Sequence, residues 1–394
     1  MTPAARLQAA IDILAGLEGT AQPADRFLQG WFRAHRFAGS QDRRAIAARV
    51  FAILRHRAKL SWRMGGDTAP RALAIASLLS DGEDPASLFA GGYGPAPLTA
   101  EERARMAARP GEPPSWVRDE FPPFLEAGLT RAFGPRLSEE MAGFAQRAPV
   151  DLRVNTLKAA RDAVLAQLRA DGFAAEAIAG LADGIRCPTG SALDRHPLFA
   201  AGAFEIQDAA AQMAVALADA RPGMRVLDLA AGAGGKALAM AAAMENRGEI
   251  IACDIRPAAL AELERRAARA GVTIIRTRNP GTLPPGPYDI VFLDAPCSGS
   301  GTWRRQPDLK WRLTPDRLAA LCGLQTQLLT QAAGLKPGRL VYATCSVLPC
   351  ENEDRVAGFL ASHPDFRRLG ADFHASPAAT GTDGFYAALL GARM

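Results

Sequence analysis

Val226-Leu-Asp-Leu-Ala-Ala-Gly-Ala-Gly-Gly-Lys236 is the stretch on which the fold turns: an apolar strand, a glycine-rich turn and the first residues of an alanine-rich helix. Glycines at 232, 234 and 235 let the backbone turn sharply and approach a ligand closely, and the free N–H groups of the helix start face the same space. In an open α/β sheet such a turn lies at the carboxyl end of a strand, where small molecules bind. The plain alternative is a tight turn with no ligand.

Three ligands compete for the loop. A phosphate-binding Walker loop needs glycine at 230 and Ser or Thr at 237, but both positions are alanine. Gly232-x-Gly234-x-x-Ala237 satisfies only the loose form of the dinucleotide fingerprint, which keeps an NAD-dependent oxidoreductase as a rival. S-adenosyl-L-methionine fits better, because an acid in the preceding strand, Asp228, is typical of methyltransferase sheets. Asp254 ends the next strand about twenty residues on, where a carboxylate accepts hydrogen bonds from ribose hydroxyls in either kind of site.

Outward from the loop, strand and helix alternate from Phe204 to the end, which predicts a parallel sheet. Strands are expected at 225–229, 249–253, 273–276, 289–293 and 339–343, and helices most clearly at 257–270 and 315–334. Upstream, Asp151-Leu-Arg-Val-Asn155 reads as a strand and 159–170 as a helix, a small α/β module. Before the loop-rich stretch from Gly91 to Pro114, the chain is helical. Leu7, Ile11 and Leu14 share a face after the cap and first-turn proline Thr2-Pro3, and Ile46, Val50, Ile53 and Leu54 repeat the pattern.

With 394 residues, two or three domains are expected at ~100–200 residues each. Hydrophobic content of 48% with 22% charged residues describes a soluble globular protein. No apolar run of membrane length and no signal-peptide pattern occur, so a cytoplasmic protein without membrane contact is expected, with a monomer favoured. Six scattered cysteines without a C-x-x-C, and five unclustered histidines, argue for reduced thiols and no metal. The net charge of +5 is uneven: between Trp31 and Arg63 lie nine Arg or Lys, two His and one acid, Asp42. Arg43, Arg49 and Arg57 fall mostly off the apolar stripe. Such a stretch attracts polyanions through counterion release, or is simply a solvated helix face.

Two of the cysteines stand apart. Asp294-Ala-Pro-Cys297-Ser-Gly-Ser-Gly and Tyr342-Ala-Thr-Cys345-Ser each begin where an apolar strand runs into small residues, so two strand ends deliver two thiols to one crevice. Cys187, Cys253, Cys322 and Cys350 read as small buried hydrophobes.

The run Asp294 to Trp311, with Ala343-Thr-Cys-Ser346, Glu351-Asn-Glu353 and Thr382-Asp-Gly-Phe385, resembles the RNA cytosine-5 methyltransferases of the Sun/Fmu type, over about Gln207 to Phe385. Asp151-Leu-Arg-Val-Asn-Thr-Leu-Lys158 looks like that family's small RNA-recognition-like module. Ser40-Gln-Asp-Arg-Arg-Ala and Val50-Phe-Ala-Ile-Leu-Arg55 resemble the antitermination-factor-like RNA-binding domain of its bacterial small-subunit ribosomal RNA members.

The resemblance implies an α/β Rossmann-like S-adenosylmethionine-dependent methyltransferase sheet over 204–394, preceded by the small module over 141–203 and an all-α domain with its connector over 1–140. It implies Cys345 as nucleophile, Cys297 as the residue that helps release the product, Asp294 in contact with donor and target base, and Lys236 near that base. Ala230, Ala231, Gly232, Ala233, Gly234, Gly235 and Lys236, with Asp254, Asn279 and Asp294, would hold the donor. Two departures stand out: the family's Cys-Ala-Ala-Pro-Gly-Gly-Lys-Thr is here Ala230 to Ala237 without its proline and threonine, and Asn279 takes the place of an adenine-contacting aspartate.

The chemistry gives each thiol a reason. Carbon 5 of cytosine is too poor a nucleophile to take a methyl group until a thiolate adds to carbon 6, and the thiol is eliminated only after the carbon-5 proton has been removed. A thiol of ordinary pKa ~8.5 needs a nearby cation or helix start to ionise. The expected partner is RNA, most specifically small-subunit ribosomal RNA, whose target base leaves its stack to reach the thiols. Arg304, Arg305 and Lys310, interleaved with Trp303 and Trp311, would grip phosphates and stack bases, or else form a structural loop. A non-catalytic RNA chaperone on the same scaffold is the remaining rival.

Overall fold

A computed structural model of the chain describes residues 1–279, 281 and 285–392. The chain divides into two compact units, Met1–Gln146 with Trp303–Leu313, and Arg147–Thr302 with Thr314–Met394.

The first unit is helical. Helix Pro3–Glu18 opens on Thr2, whose hydroxyl accepts from the Ala5 N–H at 3.2 Å. Its buried stripe is Leu7, Ala10, Ile13, Leu14 and Leu17, so Ile11 sits at the margin and Ile13 takes its place. Helix Ser40–Arg55 buries Ile46, Val50, Ile53 and Leu54 as its spacing predicts. The connector is not all loop: Thr99 and Glu102 form a reciprocal capping box that starts helix Ala100–Ala107.

Much of the basic stretch is consumed inside this unit. Arg49 pairs with Asp81 and Glu83, Arg55 is buried, and Arg63 donates to the carbonyls of Met106 and Ala108. Arg33, Arg36, Arg44 and Lys59 stay exposed.

Trp303–Leu313 belongs to the helical unit although its sequence lies within the catalytic region. For Trp303, Arg304 and Lys310 the phosphate-gripping and base-stacking reading is therefore corrected. Trp303 and Lys310 are each 1% exposed and Arg304 is buried, so their polar heads are withdrawn from solvent. Trp303 packs edge-on against Phe144, Trp311 donates its indole N–H to the Leu54 carbonyl at 2.7 Å, and Arg55 donates to the carbonyl of Arg304 at 2.7 Å. Burial pulls the Lys310 ammonium down to about 8 against the attraction of Glu120, a carboxylate that is itself buried and pushed up by burial.

In the second unit, strands β1 (Val150–Val154), β2 (Glu176–Ala177), β3 (Gly184–Cys187) and β4 (Phe204–Ile206) form an antiparallel sheet in the order β2-β3-β1-β4. Helix Arg161–Ala170 covers it with Val164, Leu165 and Leu168. Asp151 of β1 accepts a two-pronged pair from Arg186 of β3 at 2.7 and 2.9 Å.

The larger sheet contains β5 (Arg225–Asp228), β6 (Glu249–Cys253), β7 (Ile275–Arg278), β8 (Ile290–Asp294), β9 (Arg339–Thr344), β10 (Phe366–Arg368), β11 (Phe373–Ala375) and β12 (Phe385–Ala392). Its order is β10-β12-β9-β8-β5-β6-β7, with β11 paired to β12. From β7 to β9 every pairing is parallel, and β6, β8 and β9 are near-continuous buried runs, as cover on both faces requires, whereas the edge strand β7 is partly exposed. This is the Rossmann-like sheet that the resemblance implied, with the parallel core that the strand–helix alternation predicted.

Two details differ from the sequence expectation. Strand β7 starts two residues late because the Thr273 N–H is taken by Asn246 Oδ1 at 2.9 Å. The sheet also ends in antiparallel strands, since β12 runs against β9. The alanine-rich text Phe-Tyr-Ala-Ala-Leu-Leu-Gly-Ala of β12 carries too few β-branched residues to announce a strand.

The loop after β8 closes onto the start of β12 through glycines. Gly301 donates to the Cys345 carbonyl at 3.0 Å and accepts from the Gly384 N–H at 2.8 Å, and a Cβ on Gly301 would lie 2.0 Å from the Gly384 oxygen. Backbone on both sides leaves nothing flexible to yield. Gly301→Ala is therefore expected to destabilise this unit by about 1–3 kcal/mol, read as an earlier urea midpoint, with Gly323→Ala, which meets no neighbour, as the control.

Candidate active site

Parallel pairing of β8 with β9 sets Asp294 opposite Ala343, so both strands end at the same level. The chain beyond each end carries a thiol, and Cys297 Sγ lies 3.3 Å from Cys345 Sγ. On the other side of β8, strand β5 ends at Asp228, which is fully buried. The glycine turn then brings Lys236 round to donate to Asp294 Oδ2 at 2.6 Å, with its ammonium 5.3 Å from the centre of the Phe385 ring. The four residues Lys236, Asp294, Cys297 and Cys345, singled out from sequence, thus meet at one end of the sheet.

Charge is shared unevenly among them. Burial drags the Lys236 ammonium down, but the charge and hydrogen bond of Asp294, with the Cys345 sulfur and Asp228 behind them, more than restore it, so it holds its proton. The Cys297 thiol is pushed well up, first by its hydrogen bond to Cys345, then by burial and by the charges of Cys345 and Glu351. Cys297 therefore holds its proton, and its sulfur lies within hydrogen-bond reach of Cys345. Burial, with the Asp294 charge beside it, lifts the Asp228 carboxyl to about 7, although Lys236 opposes this.

The glycine loop is held at every turn. Ala231 N–H donates to the Cys253 carbonyl at 2.7 Å, Gly234 N–H to the Ala231 carbonyl at 2.9 Å, and Arg266 to the Ala233 carbonyl at 2.7 Å. Gly232 and Gly234 take φ of +55° and +80°, and a Cβ on Gly234 would strike Leu263 at 2.4 Å, so this turn requires glycine there. Ala230 lies two residues past the end of β5, and Gly235 begins helix Gly235–Ala243.

Asp254, just past β6, accepts from Gly232 N–H at 2.9 Å and from Arg256 through its backbone and guanidinium at 2.8 to 2.9 Å. Burial works against its charge, but the Arg256 contacts hold its carboxyl below the ordinary range. The Arg256 side chain is 67% exposed, so it covers the carboxylate from the solvent side. Asn279 follows β7, is exposed, and turns its Oδ1 back onto Gly281 N–H at 3.0 Å.

Of the four cysteines read as buried hydrophobes, Cys187 and Cys253 are so, with burial pushing their thiols up to about 11 and about 12. Cys322 and Cys350 are only half-buried and hydrogen-bond one another, and Cys322 Sγ donates to the Cys350 carbonyl at 3.3 Å. Among the described residues, no group of three or more His, Cys, Asp or Glu is placed to hold a metal, and no described helix is long and apolar enough to cross a membrane.

The surroundings of the thiols had no assigned role in the sequence. Ser298, Ser300, Ser346, Gln325 and Glu351 form a buried polar cluster beneath the two cysteine loops. Its signs in the sequence were the small polar residue following each cysteine and Glu351 in the Glu351-Asn-Glu353 signature.

The model of the 16S rRNA methyltransferase RsmB/F matches residues 214–391, and that of the RsmF/B-like ferredoxin-like domain matches residues 121–193. The chain belongs to the RsmB/F methyltransferase family. A probable ribosomal RNA small subunit methyltransferase B from Synechocystis sp. is 38% identical, over 63% of this chain and 58% of the relative. The ribosomal RNA small subunit methyltransferase B of Sodalis glossinidius is 36% identical, over 70% of this chain and 66% of the relative. The chain thus spans about three fifths to two thirds of the length of these RsmB relatives. A solved methyltransferase homolog protein from Pyrococcus horikoshii is 27% identical with a TM-score of 0.63, over 71% of this chain and 97% of that one.

The fold keeps Asp228 protonated to a higher pH than the unfolded chain does, so this residue favours the folded state fully below about pH 3.8. The benefit is lost as pH rises towards about 7, at about 1.4 kcal/mol per pH unit. Urea unfolding of this RsmB/F protein and its Asp228→Asn variant across pH 4 to 8 is expected to show the wild type falling relative to the variant up to about pH 7, then running parallel to it.

Proposed function

We propose that the chain transfers a methyl group from S-adenosylmethionine to carbon 5 of a cytosine in small-subunit ribosomal RNA, through a covalent bond between Cys345 and carbon 6. The observation that carries this reading is the 3.3 Å thiol pair beside the Lys236–Asp294 ion pair. Binding alone requires no two thiols in contact, which disfavours a chaperone role. The RsmB and RsmB/F names of the relatives point to the ribosomal substrate.

The donor site fits its ligand chemically. Asp254 is an acceptor-only group at a strand end, suited to two ribose hydroxyls, and its Arg256 cover is exposed enough to swing away. The tight turn at Gly232–Gly235 leads into a helix whose first N–H groups lack helical partners. When bound, the donor supplies a methyl group on a positively charged sulfur.

The residues of the chain do the rest. Cys345, with Lys236 as the nearby cation, adds its electron pair to carbon 6, and the ring electrons move to carbon 5, which takes the methyl group. While Cys345 is a thiolate, its hydrogen bond and charge keep Cys297 protonated. Once that sulfur is bonded to carbon, both influences vanish, Cys297 releases its own proton to water, and the resulting thiolate takes the carbon-5 proton, directly or through water. Loss of that proton drives the electrons back and breaks the bond from carbon 6 to Cys345. Asp294, tied to Lys236, is placed to hold the base.

Incubation with labelled donor and unmodified ribosomal RNA, followed by bisulfite mapping, tests the reading. Methyl incorporation at one cytosine is expected; none across RNA substrates would favour the scaffold role, and a nicotinamide enzyme would bind NAD instead. Cys345→Ala is expected to reduce incorporation to background. Cys297→Ala is expected to leave a protein–RNA adduct, visible as a shifted band under denaturing conditions.

Lys236 gives a separate prediction. Lys236→Met removes the cation paired with Asp294, so methyl transfer is expected to slow, read as the rate of label incorporation from donor into RNA.

A further inference from the structure

Beneath the two thiol loops lies one carboxylate that the mechanism above does not use. Glu351 is 0% exposed. Its Oε1 accepts from the backbone N–H of Ser298, next to Cys297, at 2.8 Å, and from Gln325 Nε2 at 3.0 Å. Its Oε2 accepts the hydroxyls of Ser298 and of Ser346, next to Cys345, each at 2.5 Å. The Glu351 carbonyl in turn accepts from Tyr342 of β9 at 2.5 Å. One side chain therefore holds the residue after each thiol.

We propose that Glu351 is the positioning residue of the thiol pair, locking the Cys297 loop to the Cys345 loop through Ser298 and Ser346 so that the two sulfurs stay in contact. The assignment rests on the functional reading above for its catalytic consequence, but not for its geometry.

The chemistry favours a carboxylate at this place. Every neighbour of Glu351 is a donor, and an ionised carboxylate accepts on both oxygens without offering a hydrogen. Hydrogen bonds to a charged acceptor are also the stronger kind. A merely structural link between two loops would serve as well with a neutral group. A buried negative charge beside the pair does something more: it stands with Cys345 among the groups that keep Cys297 protonated. The groups facing the Cys297 sulfur are Cys345, Glu351 and the Tyr342 phenol, and Lys236 faces Cys345. Glu351 thus acts on both position and proton.

Glu351→Gln separates these effects from folding. The amide retains the shape and can meet the two hydroxyls, which rotate to accept, so the thermal midpoint is expected to stay close to wild type. Peptide-resolved iodoacetamide labelling between pH 6 and 10 is expected to show the Cys297 alkylation curve displaced to lower pH. With donor and RNA, turnover is expected to fall at least tenfold while donor affinity by calorimetry stays within twofold. Ser298→Ala, which removes one hydroxyl and leaves the backbone N–H in place, is expected to show a smaller turnover loss and no displacement of the Cys297 curve.

Unchanged labelling curves for both cysteines in Glu351→Gln overturn the proposal. A displaced curve in a protein whose wild type transfers no methyl group to RNA leaves Glu351 as the organiser of the pair and overturns the methyl-transfer reading instead.

Discussion

The side-by-side ending of β8 and β9 is the constraint from which the site follows. Parallel pairing forces Asp294 and Ala343 to the same level, and Ala295 N–H donates back to the Ala343 carbonyl at 2.8 Å, carrying the pairing one residue past the strand. The chain then has two short routes from that line, through Pro296 to Cys297 and through Thr344 to Cys345. Had the pairing been antiparallel, the two ends would lie at opposite edges of the sheet. The strand beyond β9 is antiparallel, and it contributes its beginning, Gly384 and Phe385, to the same end. That reversal lets the closing signature reach the thiols.

Placing so many ionisable groups at one sheet end creates an electrostatic problem. Asp228 and Asp294 repel, and burial penalises both Asp228 and Lys236 in their charged forms. The molecule resolves it by contact: Lys236 and Asp294 pair directly, and Asp228, set deeper, takes up its proton near neutrality instead. A single cation then serves Asp294 through a hydrogen bond and Cys345 through its field. The departures in the glycine turn leave this intact, because Gly234, Gly235 and Lys236 are the residues retained, and the lost proline and threonine have alanine at positions 233 and 237.

Much of this was legible in the sequence because it was written in short local patterns. A strand running into Gly-x-Gly-Gly-Lys, an acid one strand later and two cysteines after apolar runs each name a strand end, and parallel topology brings strand ends together. What stayed hidden depends on long-range packing. Nothing in Trp303, Arg304 and Lys310 distinguishes a basic aromatic surface from a buried strap, and the partners that bury them, Phe144, Arg55 and Glu120, lie more than one hundred and fifty positions away. The nine basic residues near the start lose several members to acids and carbonyls on other helices. Glu351 stood in a quoted signature, but its role exists only once two loops fold over it.

Two thiols in contact are chemically equivalent until their surroundings differ, and the difference here is built from one hydrogen bond and two charges. Cys345 faces the ammonium of Lys236, whereas Cys297 faces the carboxylate of Glu351. A cation on one side and an anion on the other polarise the shared proton towards Cys297. This asymmetry needs no difference between the sulfurs themselves. In the proposed reaction, carbon–sulfur bond formation at Cys345 would remove the negative charge that favours the proton on Cys297, so the attacking step would itself prepare the residue needed for release.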